Sequence, residues 1–181
     1  MKWVAENDAE LDLDRRRMAL VGNSAGGNMA LAAALLAKKR HAPAVRALVL
    51  LWPVTSASSD WKSYAFYGGE RFLTAPLMKW MFGKYVSDPA QRGNDLMSPV
   101  RASAERLRGL PPTLIAVAEN DILRDEGEAM GRRLDEAGVE VTTVRFNGVV
   151  HDWGMLNGFA RLAPTRDLIL FAAAVLRHRL R

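Results

Sequence analysis

The segment Gly22-Asn23-Ser24-Ala25-Gly26-Gly27 constrains this chain more than any other. A short apolar run, Met18–Gly22, leads into it, and an alanine- and leucine-rich run, Ala25–Lys39, leaves it without a linker. That is the pattern of a buried strand turning at once into a helix. Small residues at 22, 25, 26 and 27 are what such a reversal needs, because larger side chains would collide where the backbone is strained. The turn would lift Ser24 Oγ above the strand end at a helix N-terminus. The Ala25 N–H would then face any negative charge developing beside the serine, aided by the helix dipole. A plain glycine-rich strand–helix turn, or a phosphate-binding loop, is the bland alternative. The chain holds no G-x-x-x-x-G-K-[ST] pattern, and a serine occupies the apex.

The rest of the chain extends the same theme. Val45–Trp52 and Thr113–Ala118 are nearly continuous in apolar character, as is Met18–Gly22, and all three read as strands buried on both faces. Val139–Phe146 alternates with a shift in phase and reads as a strand nearer an edge. Helical patterns lie between them: Ala25–Lys39, Asp125–Ala137 closed by Gly138, and Thr165–Arg181 with Leu168, Phe171, Ala172, Val175 and Leu176 on one face. Strands alternating with helices predict an α/β fold with a mostly parallel sheet flanked by helices. The 181 residues are read as a single domain, 1–181.

Residues 53–112 break the rhythm, because they carry no convincing buried strand. The interval holds many aromatics, among them Trp61, Tyr64, Phe66, Phe72, Trp80, Phe82 and Tyr85. A structureless loop of that length is improbable in a compact domain, so a helical insertion between the second and third strands is expected, with Pro76–Tyr85 its clearest helix. Such an insertion commonly walls a substrate site, although a satellite apolar cluster is the simpler reading of any one aromatic.

Composition removes several classes of chemistry. With no cysteine there is no disulfide staple, no zinc ribbon, no iron–sulfur cluster and no thiol nucleophile. The longest apolar runs, Met29–Ala37 and Leu168–Leu176, fall well short of the roughly 20 residues of a membrane-spanning helix. The opening residues turn acidic at Glu6 with no apolar signal segment, so a soluble, cytoplasmic chain without membrane contact is expected. Net charge is +5, yet the clusters Arg15–Arg17, Lys38–Arg40 and Arg177–Arg179 fall at expected helix ends or before a strand, and acidic residues intersperse them. They read as solvated surface rather than a nucleic-acid interface.

A serine nucleophile needs a base, and the chain offers three histidines. His41 and His178 sit in basic clusters and read as exposed bystanders. His151, in Asn147–Gly154, follows the fourth strand, and the loops at strand C-terminal ends are where α/β sites assemble. Asp121 closes the third strand and is the carboxylate expected to orient His151. Asp125 and Glu126 read as acids of a helix first turn, and Asp152 is too close in sequence to face its neighbour. The order Ser24, Asp121, His151 is that of α/β-hydrolases, distinct from the chymotrypsin and subtilisin orders.

With those residues in place, the chain resembles the C-terminal part of a hormone-sensitive-lipase-type α/β-hydrolase, the acetyl esterase and carboxylesterase group. The resemblance rests on Gly22–Asn28, Leu51–Val54, Leu110–Pro112, Asp121–Gly127 and His151–Asn157, spread along nearly the whole chain. Asn23 stands where the family usually has Asp, and Trp153 where Phe is commoner. The family's upstream His-Gly-Gly-Gly motif, which completes its oxyanion hole, is absent here. The resemblance therefore implies the C-terminal half of the fold, an incomplete domain with the nucleophile near its start.

It also implies a carboxylic ester hydrolase acting on small to medium acyl esters through an acyl-enzyme, with no cofactor and no metal. Ser24, Asp121 and His151 would be catalytic, Ala25 the oxyanion donor, and Trp52, Phe82, Trp153 and Met155 substrate contacts. Impaired turnover is expected from the missing oxyanion donor. An apolar first strand without an upstream neighbour is expected to make the chain self-associate. The alternative is a non-catalytic α/β interaction module, or an inactive fragment, that keeps the three residues by descent.

Overall fold

The apolar runs form four strands, β1 (Ala19–Asn23), β2 (Ala47–Leu51), β3 (Thr113–Asn120) and β4 (Val141–Val150). The helices around them are α1 (Lys2–Glu6), α2 (Ala25–Lys39), α3 (Lys62–Tyr67), α4 (Ala75–Tyr85), α5 (Ala104–Leu107), α6 (Arg124–Glu136) and α7 (Ala163–Arg179). These come from a computed structural model that describes residues 1–86 and 88–181; Ser87, inside the 53–112 interval, lies outside the described residues. The strands pair in parallel in the order β1-β2-β3-β4, with Asn23 beside Leu51 and Leu51 beside Ala116. Because all four run the same way, the C-terminal ends of β1, β3 and β4 open on one edge, where Ser24, Asp121 and His151 follow.

The two-residue period of a strand divides the core between the faces of the sheet. Leu48, Leu50, Ile115 and Val117 pack with Leu31 and Leu35 of α2 and with Met130 and Leu134 of α6. Val49, Leu51, Leu114 and Ala116 point the other way, where Leu168, Phe171 and Val175 of α7 cover them. Continuous apolar sequence in β2 and β3 thus reflects burial on both faces. β1 departs from that expectation. Leu20 packs on the α2 side, but Val21 on the opposite face remains 55% exposed, because β1 ends the sheet among the described residues. The roughly 1.5–3 kcal/mol that a fully buried valine contributes is largely forgone there. β4 is the other edge, which accounts for its mostly exposed or half-buried residues, and its pairing with β3 shifts register between Ala118 and Asn120.

Between β2 and β3 lie α3, α4, α5 and two short 3₁₀ turns, Pro89–Gly93 and Pro99–Arg101. The helix α4 is started by Thr74, whose hydroxyl accepts the Leu77 N–H (3.3 Å), with Pro76 in its first turn. Tyr64, Leu73 and Met78 of this interval meet Val54, Ile122 and Leu123 in a third apolar cluster beside the strand ends. On the far side, α6 closes at Gly138 (φ +76°), whose N–H donates to the Asp135 carbonyl at 2.8 Å while the Val139 N–H reaches Leu134 at 3.0 Å.

The basic clusters are used locally. Arg16 and Arg17 pair with Asp14, and hydrogen bonds from Arg16 draw the Asp14 carboxyl down to about 2. Lys38 donates to the carbonyls of Glu105, Arg106 and Arg108 at 2.8, 3.1 and 2.6 Å, closing the negative end of α5. No helix among the described residues is long and apolar enough to cross a membrane.

Candidate active site

Ser24 occupies a backbone conformation that L residues rarely adopt, φ 50° and ψ −120°, between the last residue of β1 and the first of α2. Its amide donates to the Leu51 carbonyl (2.9 Å), and its own carbonyl accepts from Gly27, Asn28 and Val54 (3.0, 3.3 and 3.0 Å). Two of the flanking glycines are sterically required. A Cβ at Gly22 would lie 2.1 Å from the Gly26 carbonyl oxygen, and one at Gly27 would lie 2.7 Å from Pro53 Cβ. Gly26 has only a distant neighbour at 3.8 Å, so among the three glycines of the turn the steric need falls on these two.

His151 and Asp121 complete a line of hydrogen bonds to that serine. Ser24 Oγ donates to His151 Nε2 at 3.1 Å, and His151 Nδ1 donates to Asp121 Oδ2 at 2.7 Å. A carboxylate can only accept, so it holds the imidazole proton on Nδ1 and leaves Nε2 free to take one from the hydroxyl. Asp121 is itself fixed, since its Oδ1 accepts the Leu123 N–H (3.0 Å), and both Asp121 and His151 are buried. Glu119 adds a brace by accepting the Gly148 N–H (2.7 Å) of the segment leading to His151. His41 and His178 are exposed and distant from this line in the fold.

Positive-φ residues gather here. Besides Ser24 they include Trp52 (φ 37°) and Asp152 (φ 59°). Asp152 accepts from Trp52 Nε1 at 2.7 Å and from Asn23 Nδ2 at 3.2 Å, both on Oδ1, and its Oδ2 lies 3.8 Å from His151 Nε2. The sequence reading set Asp152 aside because adjacent residues seldom face each other. The left-handed backbone at 152 turns its side chain back toward the ring, and that bend carries no sequence signal beyond the two residues' proximity. Asn23, noted only as a departure from the family, supplies the N–H that lets the serine turn hold this carboxylate.

The expected substrate contacts separate into two groups. Beside Ser24 a hollow of about 180 Å³ is lined by Met29, Val54, Met78, Met81, Phe82 and Tyr85 as well as Ala25. Phe82 therefore stands at the serine, together with methionines and a tyrosine not singled out from sequence. Trp52 and Trp153 are wholly buried, their rings in tilted contact with centroids 4.3 Å apart and planes inclined at 54°, with Trp52 edge-on to His151 at 6.4 Å. Trp153 packs on Phe146 in the core beneath the site (5.4 Å), and Met155 is exposed; neither lines the hollow at Ser24. A larger depression of about 1150 Å³ lies at the N-terminal ends of β1 and β2, among Arg15, Arg40, His41 and Arg46, and is not lined by Ser24, Asp121 or His151.

The segment from Asp121 to Gly127 ties the insertion to the sheet. Ser63 donates through its hydroxyl to the Ile122 carbonyl (2.5 Å) and through its amide to Asp125 (2.8 Å). Arg124 pairs with Asp125 at 2.8 Å and donates to Tyr67 Oη at 2.9 Å. Glu126, fully buried, accepts the amides of Thr55 and Ser56 on Oε1 at 2.7 and 3.0 Å. Asp125 and Glu126 do stand in the first turn of α6, as expected, but they accept from amides of the insertion, Asp125 from Arg124 as well, rather than from the helix's own amides. Burial pushes the Glu126 carboxyl well above its usual range, against the lowering effect of the two amides, and nearby Asp121 adds to the rise. Burial, with the same two carboxyls, also pushes the Tyr64 phenol up.

A parallel α/β sheet with a serine, a histidine and an aspartate in line at its C-terminal edge defines the class. A family model described as alpha/beta hydrolase fold matches residues 1–155, and the chain belongs to that family. It is similar to an ethyl acetate hydrolase of Pseudomonas putida, 34% identical over 178 residues that make up 98% of this chain and 55% of that protein. It is 33% identical to a carboxylesterase of Mycobacterium tuberculosis over 165 residues, 91% of this chain and 51% of that one. The crystal structure of a thermostable esterase from Pseudomonas putida superposes with a TM-score of 0.98 at 46% identity, covering 99% of this chain and 56% of that chain. The chain spans about half the length of the curated relatives it matches.

Proposed function

We propose that this chain carries the nucleophile, base and orienting acid of a serine carboxylic ester hydrolase. The observation that carries the reading is the continuous line Ser24 Oγ to His151 Nε2 to Asp121, at 3.1 and 2.7 Å, with the serine on a strained strand–helix turn. In this reading Ser24 Oγ attacks the ester carbonyl carbon while His151 Nε2 takes its proton and Asp121 stabilises the imidazolium. The Ala25 N–H, first in α2, donates to the tetrahedral oxyanion. The ester C–O bond then breaks and His151 returns the proton to the departing alkoxide. Water attacks the acyl-serine through the same base, releasing the acid and restoring the Ser24 hydroxyl. Ester and water become acid and alcohol, and no step calls on a metal or organic cofactor.

The apolar hollow beside Ser24 supports small to medium acyl groups, and Phe82 of α4 supports a wall role for the 53–112 insertion. One relative named as an ethyl acetate hydrolase and another named as a carboxylesterase support ester hydrolysis by the same site. The exposed β1 edge supports self-association of the chain as it stands. The deciding experiment is hydrolysis of p-nitrophenyl acetate, with fluorophosphonate labelling, by the chain and by Ser24→Ala. Labelling of the parent that disappears in the variant is the expected result. Failure to label the folded parent would overturn the reading in favour of a non-catalytic α/β module.

A further inference from the structure

The reaction just described makes no use of Glu126, the one glutamate that is wholly buried among the described residues. The described residues offer it no cation, since neighbouring Arg124 is engaged with Asp125, and its Oε2 has no hydrogen-bond partner. Its Oε1 nevertheless accepts two consecutive amides, Thr55 and Ser56, while the Thr55 hydroxyl donates back to the Glu126 carbonyl at 2.9 Å. Those three bonds seize the chain immediately after Val54. The Val54 N–H in turn donates to the Ser24 carbonyl, and the Leu51 carbonyl accepts the Ser24 N–H. Residues 51–56 are thus a strap gripped at one end by Glu126 and holding both polar backbone atoms of Ser24 at the other.

We propose that Glu126 is a positioning residue for Ser24, one side-chain oxygen accepting the Thr55 and Ser56 amides and so fixing this strap and, through it, the strained backbone of the serine. Two observations call for the strap. Ser24 adopts a conformation that reverts unless its surroundings over-determine it. β1 is paired on one side only among the described residues, so the sheet alone constrains the serine weakly. A buried carboxyl without a cation, close to the carboxylate that must orient His151, is better tolerated uncharged, and burial does push its carboxyl upward.

The inference rests on the esterase reading, and its test separates the two. Glu126→Gln keeps the length and the accepting oxygen but no charge; Glu126→Asp keeps the carboxyl but withdraws it by about 1.5 Å, beyond reach of both amides. Fluorophosphonate labelling of Ser24 is measured as a maximal inactivation rate and a half-saturating concentration, alongside thermal melts. The expected result inverts the ordinary preference for keeping charge. Gln labels within about threefold of the parent, while Asp loses about tenfold or more in maximal rate at an unchanged half-saturating concentration. Gln falling as far as Asp would overturn the proposal, because the charge would then be what matters. Asp labelling like the parent would overturn it too, since the strap would need no grip. An Asp variant that no longer melts cooperatively assigns Glu126 to the fold alone and also overturns the role. If the parent itself does not label, the esterase reading fails, and hydrogen exchange at Thr55 and Ser56 then decides for the strap. Exchange faster in Asp than in the parent or Gln supports it, and equal exchange in all three overturns it.

Discussion

The two sides of the reacting line are held by different means. His151 and Asp121 follow β4 and β3, which pair from Thr113 and Val141 through Ala118 and Phe146, and both side chains are buried. Ser24 follows β1, a five-residue strand paired with β2 alone among the described residues, with Val21 open to solvent. His151 and Asp121 are therefore positioned by a longer strand pairing and by their own burial. Ser24 is positioned by backbone strain and a few polar ties: Leu51 and Val54 to its backbone, and the Asn23–Asp152–Trp52 group beside it. Precision can come from packing or from a small number of hydrogen bonds, and the second kind is easier to undo with one substitution.

That contrast can be broken at several points. The largest effect belongs to the shared atom, since His151→Ala removes the proton acceptor for both halves of the reaction. It should lower esterase turnover by about 10⁴-fold or more while leaving the melt cooperative. Next comes Asn23→Asp, which sets two carboxylates where a 3.2 Å hydrogen bond now lies. Turnover should fall on the order of tenfold to 10²-fold, and adding Asp152→Asn should restore most of it by reversing the polarity of the pair. A double variant no better than Asn23→Asp alone would remove the Asn23–Asp152 tie from the account. Val21→Lys probes the open edge without touching the site. Sedimentation should show less self-association, with stability changed by no more than about 0.5 kcal/mol.

The smallest effect is a pH dependence. A carboxyl raised in the folded state binds more protons there than in the unfolded chain, so Glu126 erodes stability as pH climbs from its ordinary value of 4.5 toward its higher folded value. The melting temperature of Glu126→Gln relative to the parent should therefore rise across that window. A difference that stays flat with pH would show that Glu126 does not titrate differently on folding.

The parts legible in the sequence are those set by local pattern. The runs around Leu48–Leu51 and Thr113–Ala118 announce themselves because a parallel strand buried on both faces has no polar side to display. Ser24, Asp121 and His151 stand out because each ends such a run in a loop at the same sheet edge. What stayed hidden depends on contacts far apart in the chain. The reach of Glu126 to Thr55, the return of Asp152 toward His151 and the placing of Trp153 in the core rather than at the hollow are decided by packing and by backbone turned left-handed at single positions. Val21 looked buried for the converse reason, as an apolar residue in a strand says nothing about whether a neighbour covers it.

The left-handed backbone of Ser24 has a consequence for how such a chain drifts under mutation. Any L residue there carries roughly 1–3 kcal/mol of strain that glycine would shed. Ser24→Gly should thus melt higher than Ser24→Ala while being equally inert. Selection for durability alone would favour erasing the nucleophile, and its persistence has to be maintained against the fold's own preference.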